Sequence, residues 1–185
     1  MKHLGTKELE TQRLVLRRFV INDAEFMYNN WANDDEVTKY LNWESHKNID
    51  CSRNLLENLI PNYSNTNCYH WAIVLKEINE PIGKINIDRY SDGIKTVHFG
   101  YCIGKKWWNK GFTSEALSTL IKYFFEDVNV NRIKSRHDPN NPNSGKVMIK
   151  CGMKCEGSKR QADWNNQGVC DSVEYAILAE DYFKK

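Results

Sequence analysis

The sequence lacks the features that mark membrane-spanning, secreted and disulfide-stapled proteins. Nowhere do about 18 apolar residues follow one another. Residues 1–9 have a charged start with no apolar run behind it, so we expect neither a spanning helix nor a secretory signal. The six cysteines show no CxxC spacing, which is typical of reduced thiols packed as small apolar groups. These absences predict a cytoplasmic protein.

An excess of charge of either sign is also absent. The chain has 26 Lys and Arg against 24 Asp and Glu, a formal net charge of +2, with both signs mixed along the sequence. No global field therefore favours DNA, RNA or an anionic membrane as a partner, and any anion site must be local. A zinc site from Cys151, Cys155 and a distant His lacks the second ligand pair that such sites use, so we expect no metal.

Repeats, low-complexity tracts and flexible linkers are missing as well, and there are only 4 prolines in 185 residues. A chain of this length with 41% hydrophobic residues can bury a core of its own. We therefore expect one domain that covers residues 1–185.

The spacing of apolar residues predicts the order of secondary structure. The first third has helical spacing after one short strand, the middle third alternates with a period of two, and Leu117 to Val128 repeat at three and four as in an amphipathic helix. The pattern predicts an α/β (α+β) domain with a central mixed, mostly antiparallel sheet flanked by helices. The predicted elements are a strand at 14–16, helices near 23–31, 34–41 and 50–60, strands near 71–75, 82–87 and 97–103, the long helix, a strand at 132–137, a helix at 143–151 and a strand at 169–178.

The connection from Lys105 to Ser114 is the most informative segment. A strand that enters a glycine-containing turn and then a helix leaves backbone N–H groups unpaired at the positive end of the helix dipole, where phosphate oxygens bind. Gly111 allows close backbone approach, Lys110 offers charge, and Thr113 or Ser114 offers a hydroxyl for the helix cap or the phosphate. The alternative is an ordinary strand-to-helix connection. The segment is neither a P-loop nor a dinucleotide-binding fingerprint, because the strings GxxxxGK[ST] and GxGxxG are absent.

Residues 107–116, WWNKGFTSEA, resemble the acetyl-CoA motif of the GCN5-related N-acetyltransferases (GNAT), in the form used by the RimJ/RimL-like branch of ribosomal-protein N-terminal acetyltransferases. Residues 131–133, 141–153 and 156–157 resemble further signatures of this branch, and residues 9–17 resemble its opening strand. The resemblance covers almost the whole chain in the correct order. Trp108 and Thr113 depart from the first and last positions of the broad Q/R-x-x-G-x-G/A pattern.

The resemblance implies a GNAT fold, acetyl-CoA as cosubstrate, and direct acetyl transfer to an amine acceptor, which is a protein N-terminus or a small molecule such as a polyamine or an antibiotic. It implies no nucleic-acid or membrane partner, and a monomer or homodimer. By the same resemblance, the backbone of Cys102 and Ile103 bonds the pantetheine arm and the thioester carbonyl. The implied cofactor-binding residues are Cys102, Ile103, Trp108, Asn109, Lys110, Gly111, Phe112, Thr113, Ser114, Asn141, Asn143 and Lys146.

Two side chains are candidates for the proton transfers. An alkyl amine near pKa 10 must lose a proton before it attacks, and a base that titrates near neutrality suits this task. His98 stands where the family often has Glu, two residues before Gly100, and strand alternation turns it away from Val97 and Phe99, toward the cleft. The alternative is a half-exposed sheet histidine without a task. Ser144 resembles the residue that protonates the departing thiolate, although it is equally placed to cap a helix together with Asn143.

The acceptor site is the least determined part of the sequence. Asp171 and Glu174 are placed either to hold the charge of an amine or to form a solvated strand face. Two rival functions stay open: a non-catalytic acetyl-CoA-binding module, and nucleic-acid binding through Lys105 to Trp108, which the near-zero net charge disfavours. Four aromatic residues are candidates either for an acceptor groove or for the core: Trp31, Tyr40, Trp43 and Trp71.

Overall fold

Eight strands form one mixed sheet in a computed structural model that describes residues 1–184, so that Lys185, the last residue of the predicted domain, lies outside the described residues. The spatial order is β1-β2-β3-β4-β5-β6-β8-β7, and only the β5–β6 pair is parallel. This arrangement confirms the predicted mixed, mostly antiparallel sheet. The strands are β1 Leu9–Glu10, β2 Leu14–Arg17, β3 His70–Leu75, β4 Glu80–Ser91, β5 Thr96–Ile103, β6 Arg132–His137, β7 Lys154–Asn165 and β8 Gly168–Leu178.

Helices cover both faces of the sheet. In β3, Trp71 and Ile73 pack with the residues of one core cluster, whereas Ala72 and Val74 pack with those of a second. The first cluster contains the apolar face of the long helix, and the second contains the helices of the N-terminal third. The α-helices are α1 Asp23–Met27, α2 Asp35–Thr38, α3 Ile49–Leu59, α4 Phe112–Glu126, α5 Pro142–Lys150 and α6 Ala179–Phe183.

The parallel pair of strands is short, and this determines where a ligand can enter. Thr96 to His98 of β5 pair with Arg132 to Lys134 of β6, and beyond this point the two strands share no further pairs. The rest of β5, from Phe99 to Ile103, pairs with β4 alone. The carboxyl end of β5 therefore has one free edge, and α4 and α5 follow at the ends of the two separating strands. We call the gap between them the wedge.

Several elements differ from the sequence-based expectation, among them β1 and α6, which are not in the predicted set. Strand β7 was not predicted, because it is a sheet edge whose residues are nearly all exposed, so it carries no apolar alternation. Pro61 does not end the helical segment, which continues as a 3₁₀ turn over Ile60–Ser64 with the proline at its start. Helix α5 begins at Pro142 rather than at Asn143. Among residues 1–184, no helix is both long and apolar enough to cross a bilayer.

A buried histidine makes the stability of the fold depend on pH. The Nε2 atom of His70 is buried with no hydrogen-bond partner in the described chain, and burial lowers the pKa of the ring to about 3, with Lys84 adding repulsion. In the unfolded chain the ring protonates near pH 6.5. Between these two values only the unfolded state binds the proton, so stability falls as the pH decreases through this window.

We predict that His70→Phe removes about 2 kcal/mol of the stability difference between pH 7 and pH 5, because phenylalanine keeps an aromatic ring beside Phe19 and cannot titrate. Urea unfolding at both pH values measures this difference. His70→Leu serves as a second variant with the same expected pH response. Parallel pH profiles of wild type and both variants would contradict the prediction.

Candidate active site

The turn before α4 presents a row of free backbone donors. Gly111 is the N-cap residue and has φ 80°, and Asn109 has φ 60°. Within residues 1–184, the backbone N–H groups from Asn109 to Ser114 donate no hydrogen bond, since the first helical bond at this end runs from Glu115 to the Gly111 carbonyl. Neither Thr113 nor Ser114 caps the helix through its side chain. Six consecutive amides are thus left for an anion at the positive end of the α4 dipole.

Cations surround this turn. A Cβ built on Gly111 would meet the Arg13 Nη2 atom at 3.5 Å and the Lys150 Nζ atom at 3.6 Å, and Lys146 lines the same cleft. Lys110 is exposed and contributes its backbone carbonyl, which accepts a hydrogen bond from Arg13 Nη1 at 3.1 Å. The positive charge that faces the free amides therefore comes from Arg13, Lys146 and Lys150.

Glu115 holds the turn against the N-terminal segment of the chain. Its Oε1 atom accepts from the Thr11 hydroxyl at 2.5 Å and from the Arg13 N–H at 2.9 Å, and its Oε2 atom accepts from Arg13 Nε at 2.7 Å. Burial opposes ionisation of this carboxyl, but the bonds from Thr11 and Arg13 outweigh it and hold the pKa of Glu115 below its usual value. The ionised carboxylate in the first turn of α4 thus fixes the position of Arg13 beside the amides.

The main cleft lies in the wedge and has a volume of about 300 Å³. The Gly104 N–H bonds the Ile82 carbonyl of β4 at 2.9 Å, so by alternation the backbone groups of Cys102 face β4 whereas those of Tyr101 and Ile103 face the wedge. The Ile103 carbonyl accepts from the Trp108 indole at 2.8 Å, and the Cys102 side chain packs in the second core cluster. The backbone of Tyr101, and not that of Cys102, therefore faces the wedge.

A second cavity opens beside the main cleft, and we call it the side cavity. It has a volume of about 140 Å³. Both cavities are lined by Tyr40, Leu41, Tyr101, Asn141 and Ser144. The two spaces therefore meet at these residues, which suits a reaction between one ligand in each. The other residues of the side cavity are Asn42, Asp88, His98, Phe99, Gly100, Ser135, Arg136, His137, Asp138, Asp163, Trp164, Asn165 and Cys170.

Tyr101 and Ser144 form a hydroxyl pair at this junction. The Ser144 hydroxyl donates to Tyr101 Oη at 3.1 Å, and the Tyr101 hydroxyl donates to the Ser144 carbonyl at 2.9 Å. Burial raises the pKa of Tyr101 far above its usual value, although the bond from Ser144 opposes this shift. The Tyr101 hydroxyl hence keeps its proton at neutral pH.

A β-bulge brings a carboxylate to His98. Ile87 pairs with Phe99 and Arg89 pairs with His98, so Asp88 is the extra residue of β4. Its Oδ1 atom lies 2.6 Å from His98 Nδ1. Burial opposes ionisation of Asp88, but the bond and charge of His98 outweigh it and hold the pKa of Asp88 below its usual value. His98 is only 4% exposed and its Nε2 atom is shielded and has no partner in the described chain.

The roof of the side cavity is a loop tied to the β7–β8 turn. The Asn166 Nδ2 atom donates to the carbonyls of Thr38 at 2.9 Å and Trp43 at 2.8 Å, and its backbone N–H donates to the Leu41 carbonyl at 3.1 Å. The segment between Thr38 and Trp43 contains Tyr40 and Leu41, which line both cavities. One asparagine thus holds the loop that covers the junction.

The structure brings most of the sequence-predicted site residues together. Trp108, Asn109, Gly111, Phe112, Thr113, Ser114, Asn141, Asn143 and Lys146 line the main cleft with Cys102, Ile103 and Ser144. The amide of Lys110 belongs to the same free row, and His98 lines the side cavity.

Several acceptor-site candidates lie elsewhere. Trp31 and Trp71 are buried in the core at 1% and 0% exposure, so they line no cavity. Trp43 packs against Lys84. Asp171 accepts from the Gln161 N–H, and Glu174 bonds Ser172, so neither reaches the side cavity. Of the four aromatic candidates, Tyr40 alone lines the junction.

The basic and aromatic cluster before the turn does not form one surface. Trp107 is buried, Lys105 pairs with Glu36, and the Trp108 indole is bonded to the Ile103 carbonyl. This separation argues against a stacking platform for single-stranded nucleic acid. Cys151 is buried and Cys155 is exposed, and the described residues contain no group of three or more potential metal ligands.

Sequence reasoning missed several residues of the site, among them Arg13, Asp88, Glu115 and Lys150. Arg13 and Glu115 stood inside the recognised segments, and their opposite charges were the available signal. Lys150 lies one helical turn beyond Lys146, so helical spacing places both on one face. For Asp88 no local signal exists, because its position depends on the bulge.

Comparison with known proteins identifies the domain. Residues 13–154 match the family model described as an acetyltransferase (GNAT) domain. An uncharacterized N-acetyltransferase, p20 of Bacillus licheniformis, is 29% identical over 94% of this chain and 97% of its own length. The ribosomal protein uS5 alanine N-acetyltransferase of Escherichia coli is 30% identical, over 48% of this chain and 46% of its own length.

Solved structures share the fold. A GNAT-family acetyltransferase of Bacillus anthracis has a TM-score of 0.81 and 28% identity, over 94% of this chain and 99% of its own. RimL, a ribosomal-protein alpha-N-acetyltransferase solved in complex with coenzyme A, has a TM-score of 0.82 and 17% identity, over 93% of this chain and 98% of its own. These matches confirm the predicted fold.

We predict that Asn166→Ala speeds amide hydrogen exchange in the segment 38–43 by about tenfold or more, because it removes two hydrogen bonds that contribute about 1 kcal/mol each. Exchange followed by mass spectrometry of peptides measures this rate. Gln167→Ala is the matched control, since the neighbouring side chain makes no hydrogen bond within residues 1–184. Unchanged exchange in the alanine variant at 166 would show that the roof does not depend on this side chain.

Proposed function

The chain belongs to the acetyltransferase (GNAT) family, and we propose that it transfers the acetyl group of acetyl-CoA directly to a primary amine bound in the side cavity. The observation that carries this proposal is the row of free amides from Asn109 to Ser114, flanked by Arg13, Lys146 and Lys150. An array of unpaired donors at a helix N-terminus fits a diphosphate, and coenzyme A carries one. The relative RimL, solved with coenzyme A, supports the same ligand.

The wedge fits the rest of that ligand. The free backbone groups of Tyr101 and the Ile103 N–H run along the open edge of β5, where an extended amide-containing arm pairs like an added strand. An arm laid along this edge, with its diphosphate at the turn, directs its thioester toward the junction of the two cavities. The N–H groups on this edge are also positioned to stabilise negative charge on the thioester oxygen.

The His98–Asp88 pair is the proposed base. Asp88 is the member that a ligand in the side cavity reaches, because its side chain is 38% exposed while that of His98 is 6% exposed. His98 lies behind Asp88 and shares a proton with it across 2.6 Å. The pair takes one proton from the ammonium of the acceptor, and the neutral nitrogen then bonds the acetyl carbon as the carbon–sulfur bond breaks.

Ser144 is the proposed proton donor to the sulfur. Its hydroxyl stands at the junction, where it donates to Tyr101 Oη at 3.1 Å, and it turns from this acceptor to the sulfur when it gives up its proton. The acceptor nitrogen loses its second proton as the amide forms, and this proton restores the Ser144 hydroxyl, so the overall products are an acetylated amine, free coenzyme A thiol and the one proton taken up by the His98–Asp88 pair. No acyl-enzyme is required, and the buried Cys102 thiol has no part in this route.

The remaining expectations from the sequence stay predictions. They are a single domain over all 185 residues, a monomer or homodimer, and a cytoplasmic location. The six free thiols support a reducing compartment for the last of these. A non-catalytic role is disfavoured because the relatives that match this chain are named as acetyltransferases.

We predict that Gly111→Ala weakens coenzyme A binding roughly 5- to 30-fold, because a left-handed alanine costs about 1–2 kcal/mol and the turn relaxes away from the ligand-binding geometry. Titration calorimetry with coenzyme A measures this. Gly93→Ala is the control, since a Cβ there meets nothing within 4 Å and Gly93 has no positive φ. Equal affinities for the two variants would remove the turn from the binding site.

For the base, we predict that His98→Ala and Asp88→Asn each lower kcat/KM at pH 7 by about 100-fold or more, and that the loss shrinks as rising pH deprotonates the amine in solution. An assay of thiol release at saturating acetyl-CoA measures the loss of kcat/KM and its dependence on pH. The acceptor is the best one from a panel of N-terminal peptides, polyamines and aminoglycosides. The surface pair of His3 and Asp92, 3.1 Å apart, supplies the control variants His3→Ala and Asp92→Asn. A pH-independent loss would contradict a role as base.

A further inference from the structure

The side cavity carries negative charge that the chain does not neutralise. Three carboxylates line it, and one of them, Asp163, is paired with Arg136 through contacts of 2.5 and 3.0 Å. Asp88 bonds His98 and forms no ion pair with Lys or Arg. The third carboxylate, Asp138, has no cationic partner among the described residues. The cavity thus holds two carboxylates that no Lys or Arg of the described chain pairs with, and Asp138 is the one not needed for proton transfer.

Asp138 is buried as an anion. It is 8% exposed, and its two oxygens accept from the Asn140 N–H and from Asn165 Nδ2, each at 2.8 Å. Burial opposes ionisation, but these hydrogen bonds outweigh it and hold the pKa of Asp138 below its usual value. Burial and the nearby Asp138 charge raise the pKa of Cys170 to about 11, so this thiol stays neutral beside it. A buried charge without a counter-ion is costly unless a ligand supplies one.

Different parts of the fold hold the two carboxylates that lack a Lys or Arg partner. Asp88 stands at the bulge of β4 beside His98, whose buried Nε2 atom has no partner in the described chain. Asp138 directly follows β6 and has Asn165 beside it. The apolar residues Phe99 and Leu41 line the same cavity, and Trp164, which is also in its lining and is 57% exposed, offers a cation–π contact. Two separately held carboxylates and an apolar lining in one cavity match an aliphatic chain with a positive charge at each end.

The size of the cavity restricts the acceptor further. Its volume of about 140 Å³ lies below the range of about 300–1,000 Å³ that is usual for drug-sized ligands. Asn166 holds the roof over it through hydrogen bonds to Thr38, Leu41 and Trp43. A folded protein N-terminus with several ordered residues needs a longer, open groove. The small volume and the loop that Asn166 holds in place favour a short, flexible molecule.

We propose that the acceptor is a small aliphatic diamine or polyamine, of which one ammonium binds Asp138 while the other is presented to the Asp88–His98 pair. The inference rests on the acetyl transfer proposed above and names its substrate class. The ammonium at Asp138 stays protonated throughout, so it neutralises that carboxylate and fixes the distance of the reacting nitrogen from the thioester. The ammonium at Asp88 loses a proton to the pair and forms the new amide bond.

The test compares putrescine with n-butylamine, which share the same carbon chain and differ in the second amine. We expect the wild-type kcat/KM for putrescine to be at least about tenfold higher than that for n-butylamine, because only putrescine has a second ammonium that can form a charge-assisted hydrogen bond with Asp138. Raising the salt concentration should narrow this preference by screening. Asp138→Asn should lower the kcat/KM for putrescine to that for n-butylamine. The control Asp171→Asn changes a residue of β8 outside the cavity and should keep the preference for putrescine. Thermal melting of both variants reports on folding.

Four outcomes separate the claims. Equal kcat/KM for putrescine and n-butylamine in wild type, at low salt, overturns the diamine proposal without any variant. A preference for N-terminal peptides over both amines also overturns it and leaves the acetyl transfer standing. If the protein does not bind coenzyme A, or releases no thiol with any amine, the proposed function itself is contradicted. Loss of the putrescine preference in a folded Asp138→Asn protein, but not in Asp171→Asn, supports the proposal.

Discussion

The site depends on one constraint, which is that β5 and β6 stay paired for only three residue pairs and then separate. A parallel pair that continued would close its own hydrogen bonds and leave no room between the strands. Because it stops at His98, the backbone of Tyr101 and Ile103 remains free on one side, and the helices that follow each strand begin at the mouth of the gap. The binding cleft is therefore a consequence of sheet pairing, and the side chains refine it.

Charge is distributed unevenly around this gap although the whole chain is nearly neutral. The turn before α4 gathers Arg13, Lys146 and Lys150, whereas the side cavity gathers Asp88 and Asp138. The proposed function thus places an anionic donor and a cationic acceptor on opposite sides of the Tyr101–Ser144 junction. This separation of positive and negative charge also disfavours binding of either ligand in the other's site, because each ligand would meet charge of its own sign there.

The sequence predicted the parts that rest on local pattern. The long helix, the glycine turn and the alternating strands carry period and turn chemistry that short-range physics imposes, and their order led to the fold class. Strand β7 was not predicted because both faces of this edge strand are exposed, so apolar and polar residues do not alternate along it. The role of Asp88 was not predicted because it depends on a bulge of one residue that brings its side chain to His98. Asp138 was not predicted because its lack of a cationic partner depends on three separate segments of the chain. The resemblance could not show which way the backbone of Cys102 faces, because this orientation depends on the register between β4 and β5, which turns the backbone groups of Cys102 toward β4 and those of Tyr101 toward the wedge.

The most direct test of the central claim is an NMR titration of the labelled protein with coenzyme A, following backbone amides. The account predicts large, saturable shifts for Asn109 to Ser114 together with Tyr101 and Ile103, and small shifts for Thr96 to His98, where β5 is still paired with β6. Shifts concentrated away from the turn, with the amides of 109–114 unmoved at saturation, would contradict it.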